Sequence, residues 1–198
     1  MPAAVVAPSA PAPSLAHLAR QAAAEWEREV ESPYFVRVGA RHASVEEDKR
    51  SLREAFERVI QPIYGDQRKA LHQIFQDGDR EARLLKHGGR SVGVLVFKNY
   101  PVTEDWEKMC AVHDSLEIKS LFVVDPEKDS GKGYGKLLLA EAKAACSELG
   151  LERMHVTVND HAKGSKGFLL HGGFQEAGRA AVRHTQMASV ETLLVWES

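Results

Sequence analysis

Between residues 121 and 136 the chain passes from an apolar run, Leu121-Phe122-Val123-Val124, through Asp125-Pro126 to Ser130-Gly131-Lys132-Gly133-Tyr134-Gly135-Lys136 and then into a long helical pattern. Glycines at alternate positions between a strand end and a helix start permit positive φ and leave main-chain N–H groups uncovered. Backed by the helix N-terminus, those donors form a cradle for an anion, and a phosphate there gains about 0.3–1 kcal/mol from the helix dipole beyond its hydrogen bonds. Lys132 and Lys136 add positive charge at the rim. Spacing separates this turn from two other phosphate loops. A nucleoside triphosphate loop ends in Gly-Lys followed by Ser or Thr for the metal ion, and here Leu137 follows Lys136. A dinucleotide fingerprint is G-x-G-x-x-G early in a βαβ unit, whereas this turn is G-x-G-x-G, deep in the chain and after a hairpin.

The remaining pattern alternates strands and helices. Residues 1–14 carry four prolines and no charge, and without a basic leader segment they read as a disordered tail. Residues 15–31 place Leu15, Leu18, Ala22, Trp26 and Val30 at helical spacing, predicting an amphipathic N-terminal helix before a domain spanning 32–198. Tyr34–Val38 predicts a strand, Ser44-x-x-Glu47 a capping box opening a helix, and the stretch after Asp66 a second helix burying Ala70, Leu71, Ile74 and Phe75. Ala82–His87 and Ser91–Phe97 flank Gly88-Gly89 as a hairpin. Asn99–Val112 reads as a polar connector, Leu116–Val124 as a strand, and Tyr134–Leu149 as a helix with Leu138, Ala142, Cys146 and Leu149 inward. Met154–Val158, a helix near 163–171, Phe174–Glu176 and Val190–Trp196 complete the order. The expected fold is α/β (α+β mixed): a twisted mixed sheet of about six or seven strands flanked by about four helices, with the extra N-terminal helix.

With 26 Lys+Arg against 28 Asp+Glu, the net charge of −2 argues against a domain built to grip nucleic acid. No apolar run reaches the ~18 residues of a membrane span. Cys110 and Cys146, on a loop edge and a helix, suit a reducing, cytoplasmic setting better than a disulfide framework. No metal site is expected: His-Glu-x-x-His is absent, and Cys110-x-x-His113 has no second pair.

Val124-x-Pro126 followed by Ser130-Gly131-Lys132-Gly133-Tyr134-Gly135, then Asn159-x-x-Ala162 and Gly173-Phe174, resembles the GNAT N-acetyltransferase superfamily in two separated blocks in the right order. Ser130 stands where relatives carry Gln or Arg. The resemblance implies acetyl-CoA as co-substrate, its pantetheine arm paired with the main chain of Phe122 and Val124, and its diphosphate on the amides of Gly131 to Lys136. It also implies contacts from Asn159 and a phosphate contact from Lys166.

Acetyl transfer to an amine needs a neutral nucleophile. A lysine of pKa near 10.4 is neutral about once in 2,500 at pH 7, a cost of ~4.6 kcal/mol, while an α-amine near pKa 8 costs ~1.4 kcal/mol. Either a base, acting directly or through water, or a site that desolvates the ammonium is therefore required, together with a donor for the thioester oxyanion. Glu117 is the candidate base, and the amide of Val123 or Val124 the oxyanion donor. Relatives place a tyrosine before Gly-Phe to protonate the departing thiolate. Here Phe168-Leu169-Leu170-His171 occupies that stretch, so either His171 or a tyrosine such as Tyr64 or Tyr100 is the acid, or the thiolate leaves without a dedicated one. Tyr64 and Tyr100 also lie where the family builds its acceptor site. The expected activity is direct attack of an amine, on a small molecule or protein, in a ternary complex formed by a monomer or homodimer. The rival expectations are a non-catalytic acyl-CoA-binding module and a toxin that acetylates aminoacyl-tRNA.

Overall fold

The computed structural model describes residues 32–98, 114–160, 162–184 and 187–198. The predicted tail and N-terminal helix, the connector at 99–112, Tyr100 and Cys110 lie outside the described residues. Seven strands form one sheet: β1 (Tyr34–Val38), β2 (Arg80–His87), β3 (Arg90–Lys98), β4 (Leu116–Val123), β5 (Arg153–Asn159), β6 (Gln175–His184) and β7 (Met187–Glu197). Their order is β1-β2-β3-β4-β5-β7-β6. Every pairing is antiparallel except that of the central strand β4 with β5. A parallel pair needs a crossover helix, and α5 (Tyr134–Glu148) supplies it, following α4 (Pro126–Asp129) and the glycine turn.

The two faces of the sheet are covered by different helices. On one, α1 (Glu46–Ala55) runs through a π-helical turn, Phe56–Ile60, into α2 (Gln61–Tyr64), followed by α3 (Arg68–His72) and a second π-helical turn, Gln73–Asp77. Leu52, Phe56 and Ile74 from these segments bury against Val38, Leu84, Val94 and Val96. On the other face, Leu138, Leu139, Ala142 and Cys146 of α5 and Leu169 of α6 (Lys163–His171) pack on Leu85, Leu95, Leu116, Met154 and Leu194. The alternation along each strand therefore feeds two cores, and this places the mixed sheet between helical layers as expected.

Three local expectations change. The helix opens one residue later than the capping box places it, with Val45 at the cap, and the Ser44 hydroxyl instead accepts from the Gly39 amide. Leu149 is half exposed, because it stands at the α5 terminus where the chain turns at Gly150, φ +68°. The last two strands are longer than Phe174–Glu176 and Val190–Trp196 suggest. Their Ala, Gly and Arg residues are weak strand formers, but continuous pairing of β6 along β7 overrides propensity.

Candidate active site and cofactor cradle

A middle strand of a seven-stranded sheet ought to be covered throughout, and β4 is not. Its first three residues, Leu116, Glu117 and Ile118, are buried and pair with Met154, His155 and Val156. Beyond Ile118 the pairing with β5 stops, and Lys119 to Val123 are only partly buried. Lys119 is the extra residue of a bulge, since Val96 faces Ser120 and Phe97 faces Ile118. A bulge bends and twists its strand, and here it stands where β4 leaves β5 and opens a cleft between them.

The main-chain groups along this stretch of β4 alternate in direction. The Val124 amide donates to the Val92 carbonyl at 3.0 Å, so Val124 faces β3. Hydrogen-bonded pairs alternate in an antiparallel ladder. Phe122, two residues back and opposite Val94, therefore also faces β3. The groups turned into the cleft belong to Leu121 and Val123, which stand opposite Leu95 and Gly93. Phe122 contributes packing instead: its ring meets that of Phe56 edge to face, centroids 5.8 Å apart.

The strand delivers the chain to the glycine turn. Asp125 caps α4 by accepting from the Lys128 amide at 3.2 Å, and Arg58 from the opposite layer grips the same carboxylate at 2.8 Å. Gly131 and Gly133 have φ of +77° and +80°, and no described residue lies within 4 Å of where a Cβ would stand. Two amides of the turn are already used: Ser130 donates to Pro126 and Lys132 to Asp129. The first helical bond of α5 runs from Leu137 to Gly133, so the amides of Gly133, Tyr134, Gly135 and Lys136 emerge from the helix N-terminus. Gly135 admits the Phe168 ring, which would lie 3.3 Å from a Cβ. The Tyr134 side chain points inward, its hydroxyl hydrogen-bonded to Nδ1 of His87. Lys136 is exposed, and Lys132 reaches back to Asp129 at 3.1 Å. Arg90 also grips Asp129, and together these cations hold its carboxyl far below the usual carboxylate range.

Glu117 sits where β4 and β5 part, 3% exposed. Its Oε1 accepts from Lys119 Nζ at 2.6 Å, while its Oε2 is buried without a hydrogen-bond partner among the described residues. Across the parallel pair stands His155, which sequence reasoning missed, hydrogen-bonded through Nδ1 to the buried Ser115 hydroxyl. Burial holds His155 below the usual imidazole range, opposed by the neighbouring Glu117. Tyr64, at the end of α2, is half exposed, and its hydroxyl is pushed up by burial and by the charge of Glu191 on β7. Asn159 ends β5 opposite Glu191. Lys166 pairs with Glu176 at 2.6 Å and lines a cleft of about 310 Å³ with Asn159, Asp160, Arg179 and Thr192.

His171 stands at the far end of α6. It lies exposed at the last turn of α6, its Nδ1–H donating to the Gly167 carbonyl at 2.7 Å. The following Gly173 abuts Trp196, which pairs with Met154 at the closed end of the sheet. Among the described residues no cluster of His, Cys, Asp and Glu could hold a metal ion, and no helix is long and apolar enough to cross a membrane.

A parted central strand beside a glycine turn at a helix N-terminus is the arrangement that the sequence motifs lead one to expect, and the acetyltransferase (GNAT) family model matches residues 47–174. The chain belongs to the GNAT acetyltransferase family. Solved GNAT structures share its fold. NAA60 of Arabidopsis thaliana, in complex with a bisubstrate analogue, superposes with a TM-score of 0.65 at 15% identity, covering 84% of this chain and 98% of that one. The IAA acetyltransferase of Bacillus cereus gives 0.58 at 16%, covering 84% and 100%. A GNAT acetyltransferase of Elizabethkingia anophelis with acetyl-CoA bound gives 0.56 at 14%, covering 84% and 98%. No match is found among curated proteins.

Proposed function

We propose that the protein transfers the acetyl group of acetyl-CoA to an acceptor amine by direct attack in a ternary complex, with residues 32–198 as the catalytic domain. The observation that carries this reading is the opening of β4 from β5 past Ile118, directly upstream of the amides at the N-terminus of α5. The diphosphate of the cofactor would lie on the amides of Gly131 and Gly133 to Lys136, in the field of the helix dipole. The pantetheine arm would continue the sheet on Leu121 and Val123, with Asn159 and Lys166 at the far wall. The Leu121 amide, the first past the bulge to face the cleft, is the oxyanion donor.

The acceptor enters from the side of Tyr64. Glu117 takes the proton of the attacking amine on Oε2, directly or through one water, as the C–N bond forms. The C–S bond then breaks. The departing thiolate takes that proton back from the Glu117 carboxyl, so one carboxylate shuttles it and the scheme needs no second acid.

Calorimetric titration with acetyl-CoA, followed by measurement of thiol release over a panel of peptides, aminoglycosides and polyamines, tests the proposal. Binding followed by amine-dependent thiol release is expected. No binding to well-folded protein would sink it, and tight binding with no turnover on any amine would favour a regulatory module.

A further inference from the structure

β2 and β3 are joined by the two-residue turn Gly88-Gly89, φ +56° and +73°, with His87 opposite Arg90. Two residues at such a turn are closest neighbours, and in this hairpin both reach the same distant loop. Arg90 clasps Asp129 with two parallel bonds, Nη1 to Oδ2 at 2.8 Å and Nη2 to Oδ1 at 2.6 Å. His87 Nδ1 holds the Tyr134 hydroxyl, their rings set edge to face with centroids 5.6 Å apart. Asp129 and Tyr134 bracket the segment Ser130-Gly131-Lys132-Gly133, and both side chains are buried. One tight turn thus grips both ends of the glycine segment.

We infer that the hairpin turn, through Arg90 and His87, is the positioning element of the cofactor loop, setting where the amides of Gly131 and of Gly133 to Lys136 point. The inference rests on the acetyl-CoA reading above. Glycines at positive φ with open space around them have no side chain to fix their conformation, so the geometry of the cradle must be imposed from its ends. A two-pronged Arg–carboxylate pair fixes orientation as well as distance. The charge is also consistent. A buried carboxylate beneath an anion site would repel a phosphate, but Asp129 faces two cations, Arg90 and Lys132, and the cluster presents a net positive charge to the loop. Arg90 and His87 touch no reacting atom in this scheme. They are positioning residues.

A purely structural anchor and a positioning element differ in which ligand feels the change. The test is calorimetry with CoA on the intact protein, alongside pantetheine scored by its competition with CoA, because pantetheine lacks the diphosphate. Arg90→Gln and His87→Leu are expected to weaken CoA about tenfold each, some 1.4 kcal/mol, while moving the pantetheine constant less than about twofold, a difference of ~0.4 kcal/mol. Arg90→Lys, which keeps charge but loses the fork, should recover only part of the loss. Equal weakening of both ligands, or of neither, overturns the inference. If Arg90→Gln does not fold, His87→Leu carries the comparison alone. A wild-type protein that binds neither ligand would instead refute the cofactor reading itself.

Discussion

Glu117 Oε1 accepts from Lys119 Nζ at 2.6 Å while Oε2 of the same carboxylate, buried at the mouth of the β4–β5 cleft, has no partner among the described residues. A buried oxygen without a hydrogen bond costs free energy that folding alone gives no reason to spend. A proton-accepting role gives that reason. Glu117→Gln, which keeps shape and removes basicity, is expected to lower kcat by about 10²- to 10⁴-fold with the Kd for acetyl-CoA unchanged. The loss should be larger for a lysine-type amine than for an α-amine, since the latter needs less help in losing its proton. Wild-type turnover by the variant on both amines would remove Glu117 from the mechanism.

Gly133 takes φ +80° at the start of α5, and Gly150 takes φ +68° at its end, each with open space around the missing Cβ. Placing an L side chain in that region costs roughly 1–2 kcal/mol at either site. Only the first site lies in the proposed cradle. Both variants are expected to lower the unfolding midpoint to a similar extent, while only Gly133→Val weakens CoA, at least tenfold by calorimetry, and Gly150→Val preserves its affinity. Matching affinities in the two variants would show that the glycine turn is not where the diphosphate sits.

Most of the fold was legible because its signals are local: the Gly88-Gly89 turn, the alternation feeding both faces, and the glycine turn before a long helix. The site was legible in part. Glu117 stands out in the sequence as a carboxylate on the strand leading into the turn, whereas His155 does not, since only the parallel register of β4 and β5 sets the two side by side. The choice between Phe122 and Leu121 for the main-chain contacts depends on which edge of β4 meets β3. A bulge at Lys119 decides the phase of that alternation, and no residue pattern announces it. Asp129 reads as one more charge in a polar loop until the hairpin delivers Arg90 to it. The position of His171 was not legible for a simpler reason: it ends α6, eight residues and about 12 Å at 1.5 Å per residue from the start of that helix.

Arg83 on β2 is 2% exposed and feeds three carboxylates, Glu81 at 3.0 Å, Glu141 at 2.6 Å and Glu148 at 2.8 Å, with its guanidinium over the Phe97 ring. Glu141 and Glu148 lie on α5, so this residue ties the crossover helix to the sheet. Arg83→Met leaves those carboxylates without their buried cation and is expected to cost about 3–5 kcal/mol, read from urea denaturation. Arg68→Ala, which breaks an exposed pair with Asp66, should leave the midpoint where it is. A loss from Arg83→Met no larger than that would show that the cluster is solvated despite its burial.

His155 supplies a pH signature. Burial holds its folded-state value below the usual imidazole range, Glu117 opposes that depression, and Lys119 and Lys98 add to it. In the unfolded chain an imidazole titrates near pH 6.5, about its ordinary value. Below that pH the unfolded state takes up a proton that the folded state refuses, so stability is greatest above about pH 6.5 and falls as pH is lowered toward the depressed folded value. Thermal midpoints of the wild type should therefore decline between about pH 7 and 5, ahead of carboxylate titration. His155→Gln removes the group and should flatten that limb, leaving the steeper acid loss at lower pH where carboxylates such as Asp129 and Glu148, held low by Arg90 and Arg83, take up protons. An unchanged slope in His155→Gln would mean that His155 keeps its ordinary titration in the folded protein, and that Glu117 has a charged neighbour across the cleft rather than a neutral one.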